Sequence, residues 1–341
     1  MNAQIQWNKE QRLDAKNTFD GSLVYGTGHF NRSTGRDRHL DQRTRVRNFF
    51  VDGNTGKLRG EISEERSCPG CGYSEPTELF VKDGFPHGRC GRCDLVYVAP
   101  VISEEAIMKF YAEESSWTEV LFSKEQVELD EHIFAYGLDL VENLISAGRI
   151  LDIGCGPGFF LEAARRRGWQ VEGMEMNDRC VERLRKLDIP VSTDPLEHSD
   201  LEAGSFDAVA MWEVLEHLRH PNQALEQVRQ LLKPGGVLLI CVPNFGSLVN
   251  RIMHEKGGTF AGYSHVNFFE APTLTRMQDN NGFDCVEIET IITEFDTINN
   301  YLSFANPYFD HSDAILPLLT PAYIHENLLG SRLLSLATVR K

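Results

Sequence analysis

The chain has 341 residues, 41% of them hydrophobic and 25% charged, a balance that supports a buried core and excludes a wholly disordered polymer. No run approaches the roughly 18 consecutive apolar residues of a membrane-spanning helix, and the polar opening Met1-Asn-Ala-Gln-Ile-Gln-Trp7 carries no secretory hydrophobic segment, so a reducing cytoplasm is the expected location. The formal net charge is −16, which disfavours a long polyanionic partner because nucleic-acid affinity rests on neutralised phosphates.

That charge is unevenly spread. Residues 1–60 carry eleven Lys/Arg against six Asp/Glu, and the remainder carries 23 against 44. Residues 1–64 are therefore read as a basic arm. Its run Arg36-Asp-Arg-His-Leu-Asp-Gln-Arg-Thr-Arg-Val-Arg47 is either a solvated or subunit-packing surface or a phosphate contact. Residues 49–58 contain Asp52-Gly53 and Asn54-Thr-Gly56, the turn chemistry of a hairpin.

Four of the eight cysteines are paired closely. Cys68-Pro-Gly-Cys71 is followed, after 18 residues, by Cys90-Gly-Arg-Cys93. In a reducing compartment two Cys-x-x-Cys units read as metal ligands before disulfides. They predict a structural zinc in a small module over residues 65–100, with the redox dithiol as the competing reading. Four thiolates fill a tetrahedral shell and leave no position for catalytic water. Two helices are expected next, over 103–111 and 124–147, within a helical linker or lid at 101–148.

From residue 149 the pattern becomes α/β. Strands are expected at 149–153, 170–175, 190–193, 206–212 and 236–242, and helices at 159–167, 178–187 and 222–232. Two further apolar stretches, 285–291 and 333–339, are expected to close the sheet as a hairpin pair. The aromatic- and proline-bearing segment 293–331 between them is a candidate cover for a site. Such alternation predicts a doubly wound, mostly parallel sheet with its ligand at the carboxyl ends of the strands.

The first such end carries Asp152-Ile-Gly-Cys-Gly-Pro-Gly158, a glycine turn that lets backbone approach a ligand closely, and Glu175 ends the next strand. Together with Ser205-Phe-Asp-Ala-Val209, Leu232-Lys-Pro-Gly-Gly236 and Val242-Pro-Asn244, this set resembles the class I S-adenosylmethionine-dependent methyltransferases across residues 149–341. The resemblance implies a seven-stranded Rossmann-like sheet. It also implies that Gly154, Gly156 and Gly158 line the methionine part of the cofactor and that Glu175 holds the ribose. Asp194 or its neighbours Pro195-Leu196 would lie beside the adenine, with Asp152, Cys155, Met176 and Trp212 completing the cofactor set. The Asn/Asp-Pro-Pro-aromatic sequence of enzymes that methylate adenine amino groups is replaced here by Trp212-Glu-Val-Leu-Glu-His217, which disfavours base N-methylation.

If residues 213–217 begin a helical turn, Glu213, Glu216 and His217 share one face. The run, with His265 in Tyr263-Ser-His-Val-Asn-Phe-Phe269, resembles the ubiquinone-biosynthesis O-methyltransferases and the small-RNA terminal 2′-O-methyltransferases. By that resemblance Glu213, Glu216, His217 and His265 hold a divalent ion such as magnesium. Two imidazoles are more usual for zinc, manganese or iron, so the ion stays open. A metal-free His217 base and a purely structural role are the alternatives.

The expected reaction is O-methylation of a hydroxyl on a small or carrier-linked acceptor, a sugar or phenol, with Tyr263, Phe268, Phe269, Tyr301 and Tyr308 as candidate pocket walls. A thiolate module joined to this core resembles enzymes that modify sugars, including deoxysugar C-methyltransferases, whose C-terminal domain is longer than this chain supplies. RNA 2′-O-methylation is supported by the four-ligand resemblance and opposed by the charge. A zinc-ribbon adaptor with an inactive transferase domain is opposed by the intact glycine turn and Glu175.

Overall fold

The computed structural model describes residues 39–113, 116–294 and 320–340. It begins with helix α1 (His39–Phe50), followed by strands β1 (Ser63–Glu64), β2 (Pro76–Lys82), β3 (Phe85–Cys90), β4 (Val96–Val98) and β5 (Val101–Ile102). Helices α2 (Glu104–Glu113), α3 (Ser116–Leu121) and α4 (Lys124–Glu142) lead into the alternating part. That part runs β6 (Arg149–Ile153), α5 (Phe159–Arg166), β7 (Gln170–Met174), α6 (Asp178–Lys186), β8 (Val191–Ser192), β9 (Phe206–Trp212), α7 (Pro221–Leu231) and β10 (Leu232–Pro243). It continues with α8 (Leu248–Met253), β11 (Asn267–Phe268), α9 (Ala271–Asn280), β12 (Phe283–Ile291), α10 (Pro321–Glu326) and β13 (Arg332–Val339).

Seven strands form one sheet in the order β12-β13-β10-β9-β6-β7-β8. Neighbours from β10 through β8 pair in parallel, and β13 runs antiparallel to both β10 and β12. The central strands β6 and β9 are nearly continuous apolar runs because helices cover both faces. Local signals agree with this path. Ser123 caps α4 by accepting from the Gln126 N–H, and Asn177 caps α6 by accepting from the Cys180 N–H. The order reverses direction between β6 and β9, so the carboxyl ends of these strands, with β7, open a crevice for a ligand.

A second, antiparallel sheet has the order β11-β4-β3-β2. Three of its strands come from the cysteine module, and the fourth, β11, comes from the far side of the chain. The module is therefore joined by backbone pairing to a strand from the later part of the chain, and Cys68, Cys90, Leu95 and Tyr97 pack in the same apolar cluster as Leu274 and Met277 of α9.

The hairpin expected over 49–58 is shortened to its tip. Phe49 and Phe50 end α1, and an antiparallel Val51–Leu58 bridge closes the turn, with the Asp52 N–H donating to the Lys57 carbonyl and Asp52 Oδ1 accepting from the Asn54 and Thr55 N–H groups. The reason is tertiary burial. Val46 and Phe50, four residues apart, share the buried face of a helix, and the Phe50 ring lies against Phe85 and Phe110. Helix α3 was not foreseen, and β8 is only two residues long. The proposed cover at 293–331 falls mostly on residues 295–319, outside those described, as do Tyr301, Tyr308, residues 1–38 and part of the basic run.

Trp212 ends β9 with its ring between Phe134 of α4 and Phe160 of α5, at centroid distances of 4.9 and 5.5 Å. Gly137 of α4 lies directly above it; an added Cβ would stand 2.7 Å from Trp212 Cη2. Gly137→Ala is expected to destabilise the fold by about 1–3 kcal/mol through overpacking, with a change in tryptophan fluorescence. A lowered midpoint in thermal unfolding with a shifted emission maximum checks it.

Candidate active site

The three loop glycines have three different steric reasons. All adopt positive φ, +70° at Gly154, +51° at Gly156 and +85° at Gly158. A Cβ at Gly154 would strike Val214, and one at Gly158 would strike Leu184. At Gly156 nothing lies within 4 Å, so that side of the turn faces open space. This is a cradle that backbone can offer to a ligand and a side chain would obstruct.

Glu175, just past β7, ties this turn to the neighbouring strand end. Its Oε2 accepts from the Gly156 N–H at 2.8 Å, and its Oε1 accepts from the Met176 and Asn177 N–H groups at 2.8 and 2.7 Å. Oε2 retains acceptor capacity for a hydroxyl. Met176 is exposed beside it. Asp152 lies beneath the turn, 1% exposed, and its Oδ1 has no hydrogen-bond partner. Burial, and then the charge of Glu175, raise its carboxyl well above the usual range. Cys155 is buried. Asp194 is exposed beyond β8, and its N–H donates to Ser192 Oγ. The indole N–H of Trp212 is buried without a partner.

Val214 connects this cradle to a second constellation. Residues 213–217 form a kinked turn, not the start of a helix. Glu213 adopts φ +55°, its N–H donates to the Cys241 carbonyl, and the His217 N–H donates to the Val214 carbonyl. The turn still gathers side chains. The Glu216 carboxylate is 1% exposed, and both of its oxygens lack a hydrogen-bond partner. The His217 Nδ1 contacts the Ser264 carbonyl at 2.9 Å, and the His265 Nδ1 contacts the Thr259 carbonyl at 2.9 Å. These contacts favour the tautomer with Nδ1–H and leave the Nε2 lone pair of each ring available. The rings lie edge to face at 4.8 Å, and one ligand atom from each of Glu216, His217 and His265 lies within 4.8 Å of the others. Burial first, and then repulsion from Glu213, raise the Glu216 carboxyl well above the usual range. Burial, the neighbouring His217 and Arg332 lower His265 to about 3. A buried carboxylate with no hydrogen-bond partner, 3.7 Å from His217 Nε2 and beside a second imidazole, is a donor set suited to a cation.

Glu213 stands outside this trio. Its Oε1 accepts from Arg332 Nε at 3.0 Å and lies 3.8 Å from Cys241 Sγ. Arg332, at the start of β13, is the site residue that sequence reasoning missed. Its signal was a lone charge opening the apolar run Leu333-Leu-Ser-Leu-Ala337. The candidate walls Phe268 and Phe269 are buried core, and Tyr263 packs against Phe50 and Phe110.

The four module thiols also converge. Cys68 Sγ and Cys93 Sγ are 3.4 Å apart, Cys71 Sγ and Cys90 Sγ 3.5 Å, and all four sulfurs lie within 4.8 Å of one another. A tetrahedron with metal–sulfur distances of about 2.3 Å has edges of about 3.8 Å, so the set fits a tetrahedral ion. The two knuckles repeat one backbone pattern. Gly72 N–H donates to the Cys68 carbonyl and Asp94 N–H to the Cys90 carbonyl, and both Gly72 and Asp94 adopt positive φ. Burial works against thiolate formation at Cys90, yet the Cys93 and Arg92 N–H groups, with the neighbouring Cys71 and Cys68 thiols, together outweigh it and bring the thiol down to about 7.

Removing the Glu175 carboxylate is expected to open the glycine turn as well as remove a ligand acceptor. If Glu175 receives the cofactor as the resemblance implies, Glu175→Ala should weaken S-adenosylmethionine binding by about ten- to hundredfold, the loss expected for a charge-assisted hydrogen bond. Calorimetric titration checks it, and an unchanged affinity refutes it.

A family model described as a methyltransferase domain matches residues 126–288. Curated relatives are ubiquinone biosynthesis O-methyltransferases. The Shewanella pealeana protein is 27% identical over 167 residues, 43% of this chain and 68% of the relative. The Pectobacterium atrosepticum protein is 29% identical over 160 residues, 45% and 64% respectively. A Xanthomonas campestris protein is 39% identical over 107 residues, 29% and 45% respectively. The chain thus spans between about half and two thirds of these relatives' length. Among solved structures, a Burkholderia thailandensis 1,6-didemethyltoxoflavin-N1-methyltransferase with bound S-adenosylhomocysteine is similar at 13% identity and TM-score 0.49, covering 77% of this chain and 99% of that one. A Thermotoga maritima methyltransferase is similar at 22% identity and TM-score 0.46, covering 69% and 99%. Residues 126–288 therefore carry a methyltransferase domain, and together with the curated relatives they indicate an S-adenosylmethionine-dependent methyltransferase.

Proposed function

We propose that this enzyme O-methylates a hydroxyl of a small or carrier-linked acceptor, such as a sugar or a phenol, at a site where Glu216, His217 and His265 hold a divalent ion. The observation that carries the reading is the Glu216 carboxylate, buried with both oxygens unpartnered, facing two rings whose Nδ1 atoms are already engaged. The O-methyltransferase relatives support the choice of oxygen, and the net charge of −16 supports a small acceptor over RNA.

Within this reading the glycine turn and Glu175 orient the cofactor, with Asp152, Cys155, Met176, Asp194 and Trp212 around it. S-adenosylmethionine supplies a sulfonium methyl already activated for attack, so the protein's task is to align the acceptor and release its proton. An imidazole is a poor match for an alcohol, whose pKa lies many units higher. A divalent ion held by Glu216, His217 and His265 would supply Lewis acidity toward the acceptor oxygen. His217, with 39% of its side chain exposed, sits at the rim, where a proton can pass to solvent. That exposure also supports a second reading, in which His217 Nε2 takes the proton without a metal.

The Cys68, Cys71, Cys90 and Cys93 set holds a structural zinc in this proposal, in a module too small to be stable on its own core. A cytoplasmic enzyme keeps these thiols reduced. No helix among the described residues is long and apolar enough to cross a membrane.

Mass-spectrometric screening of hydroxyl acceptors tests the activity. Glu216→Gln or chelation by EDTA should lower kcat about a hundredfold or more, in the range of a lost catalytic group. Activity that survives both, yet falls in His217→Asn, identifies the metal-free base instead. Metal analysis of Cys90→Ser protein should show the loss of about one equivalent of zinc if the four thiolates form one site.

A further inference from the structure

Arg332 reaches the site from the one reversed strand of the sheet. Its backbone is fixed by pairing on both sides, opposite Pro243 of β10 and Ile291 of β12. Its Nε reaches Glu213 Oε1 at 3.0 Å, with 23% of the Arg332 side chain and 35% of the Glu213 side chain exposed. Glu213 is equally constrained, by its left-handed φ and by the hydrogen bond of its N–H to the Cys241 carbonyl. The carboxylate is thus held from both ends, and it is not among the groups whose ligand atoms converge with Glu216, His217 and His265.

We infer that Arg332 holds Glu213 out of the cation site, leaving two imidazoles and one carboxylate as the protein ligands. The inference rests on the cation reading proposed above and names the class of ion that the site accepts. Two neutral nitrogens and one oxygen suit a borderline ion such as Fe²⁺, Co²⁺ or Zn²⁺, and Mn²⁺, though harder, accepts the same donors and serves as the probe. A hard Mg²⁺ is better served when a second carboxylate replaces its water. The guanidinium stays charged at every working pH and grips the carboxylate from a fixed strand, so Glu213 joins the ion only if that pair is broken. Arg332 is then a determinant of metal selectivity, acting through Glu213 without touching the ion.

The test measures binding of Mn²⁺ and, by competition, Mg²⁺ to the full-length protein, with one equivalent of zinc per chain loaded at the cysteine site beforehand, free zinc removed, and metal analysis confirming a single zinc. Manganese electron paramagnetic resonance reads binding without any turnover. Glu216→Gln should lower Mn²⁺ affinity about a hundredfold, as expected for a lost ligand, while Glu213→Gln should stay within about threefold of the parent. Arg332→Gln should release Glu213 and raise Mg²⁺ affinity about tenfold, and adding Glu213→Gln to it should cancel the gain. A loss in Glu213→Gln equal to that in Glu216→Gln overturns the inference, as does an unchanged Mg²⁺ affinity in Arg332→Gln. The Glu213→Gln arm decides the matter alone if Arg332→Gln does not fold. If the parent binds neither ion but Arg332→Gln does, Arg332 excludes Glu213 as inferred, and the resident-ion reading fails instead. Binding by neither protein overturns both.

Discussion

The Glu216 carbonyl holds the site together. It accepts from both the Val266 and the Asn267 N–H groups, at 2.9 and 3.1 Å, so the turn after β9 is bonded to β11 and to the residue before it. The Asn267 side chain adds donors to the Leu215 and Leu218 carbonyls. The same short strand pairs on its other side with β4 of the cysteine module. His217 and His265 are some fifty residues apart in the chain, and this pairing is what brings their rings to 4.8 Å.

The cysteine module is therefore part of the site's scaffold. Strand β3 runs from Cys90 back to Phe85, whose ring lies so close to Gly262 that a Cβ there would stand 2.5 Å from Phe85 Cβ. Lys82 of β2 donates to the Gly257 carbonyl. Both contacts fall on the segment that carries His265. Arg276 of α9 donates to the Cys93 carbonyl, and Asn222 of α7 donates to the Pro69 and Gly70 carbonyls, so each cysteine knuckle is also bonded to the large domain. A metal that orders the knuckles would order this support as well.

Electrostatics give the site its chemistry. Asp152 and Glu216 are both buried at adjacent strand ends, with Glu175 and Glu213 nearby. Such a concentration of carboxylates in a low-dielectric crevice is unfavourable unless cations answer it. Arg332 answers Glu213, and a sulfonium cofactor with a divalent ion suits the rest. In the proposed reading, the open side of Gly156 and the Glu216 oxygens are where such groups bind.

Much of the architecture was legible in the residues. Apolar runs with period-specific spacing located β6, β9, the α/β alternation and the final hairpin pair, because burial on both faces of a central strand leaves little latitude in composition. The glycine turn and paired cysteines were legible because each needs particular residue types at fixed local spacing. Helix α1 was not, since its buried face has few apolar residues and forms only against Phe85 and Phe110. Arg332 and the exclusion of Glu213 from the histidine cluster were not legible either. They depend on the register between β13 and β10, and on a kink at residue 213, which set side-chain positions across 119 residues of chain. Local spacing determined which chemical groups are available; only long-range strand pairing decided which of them meet.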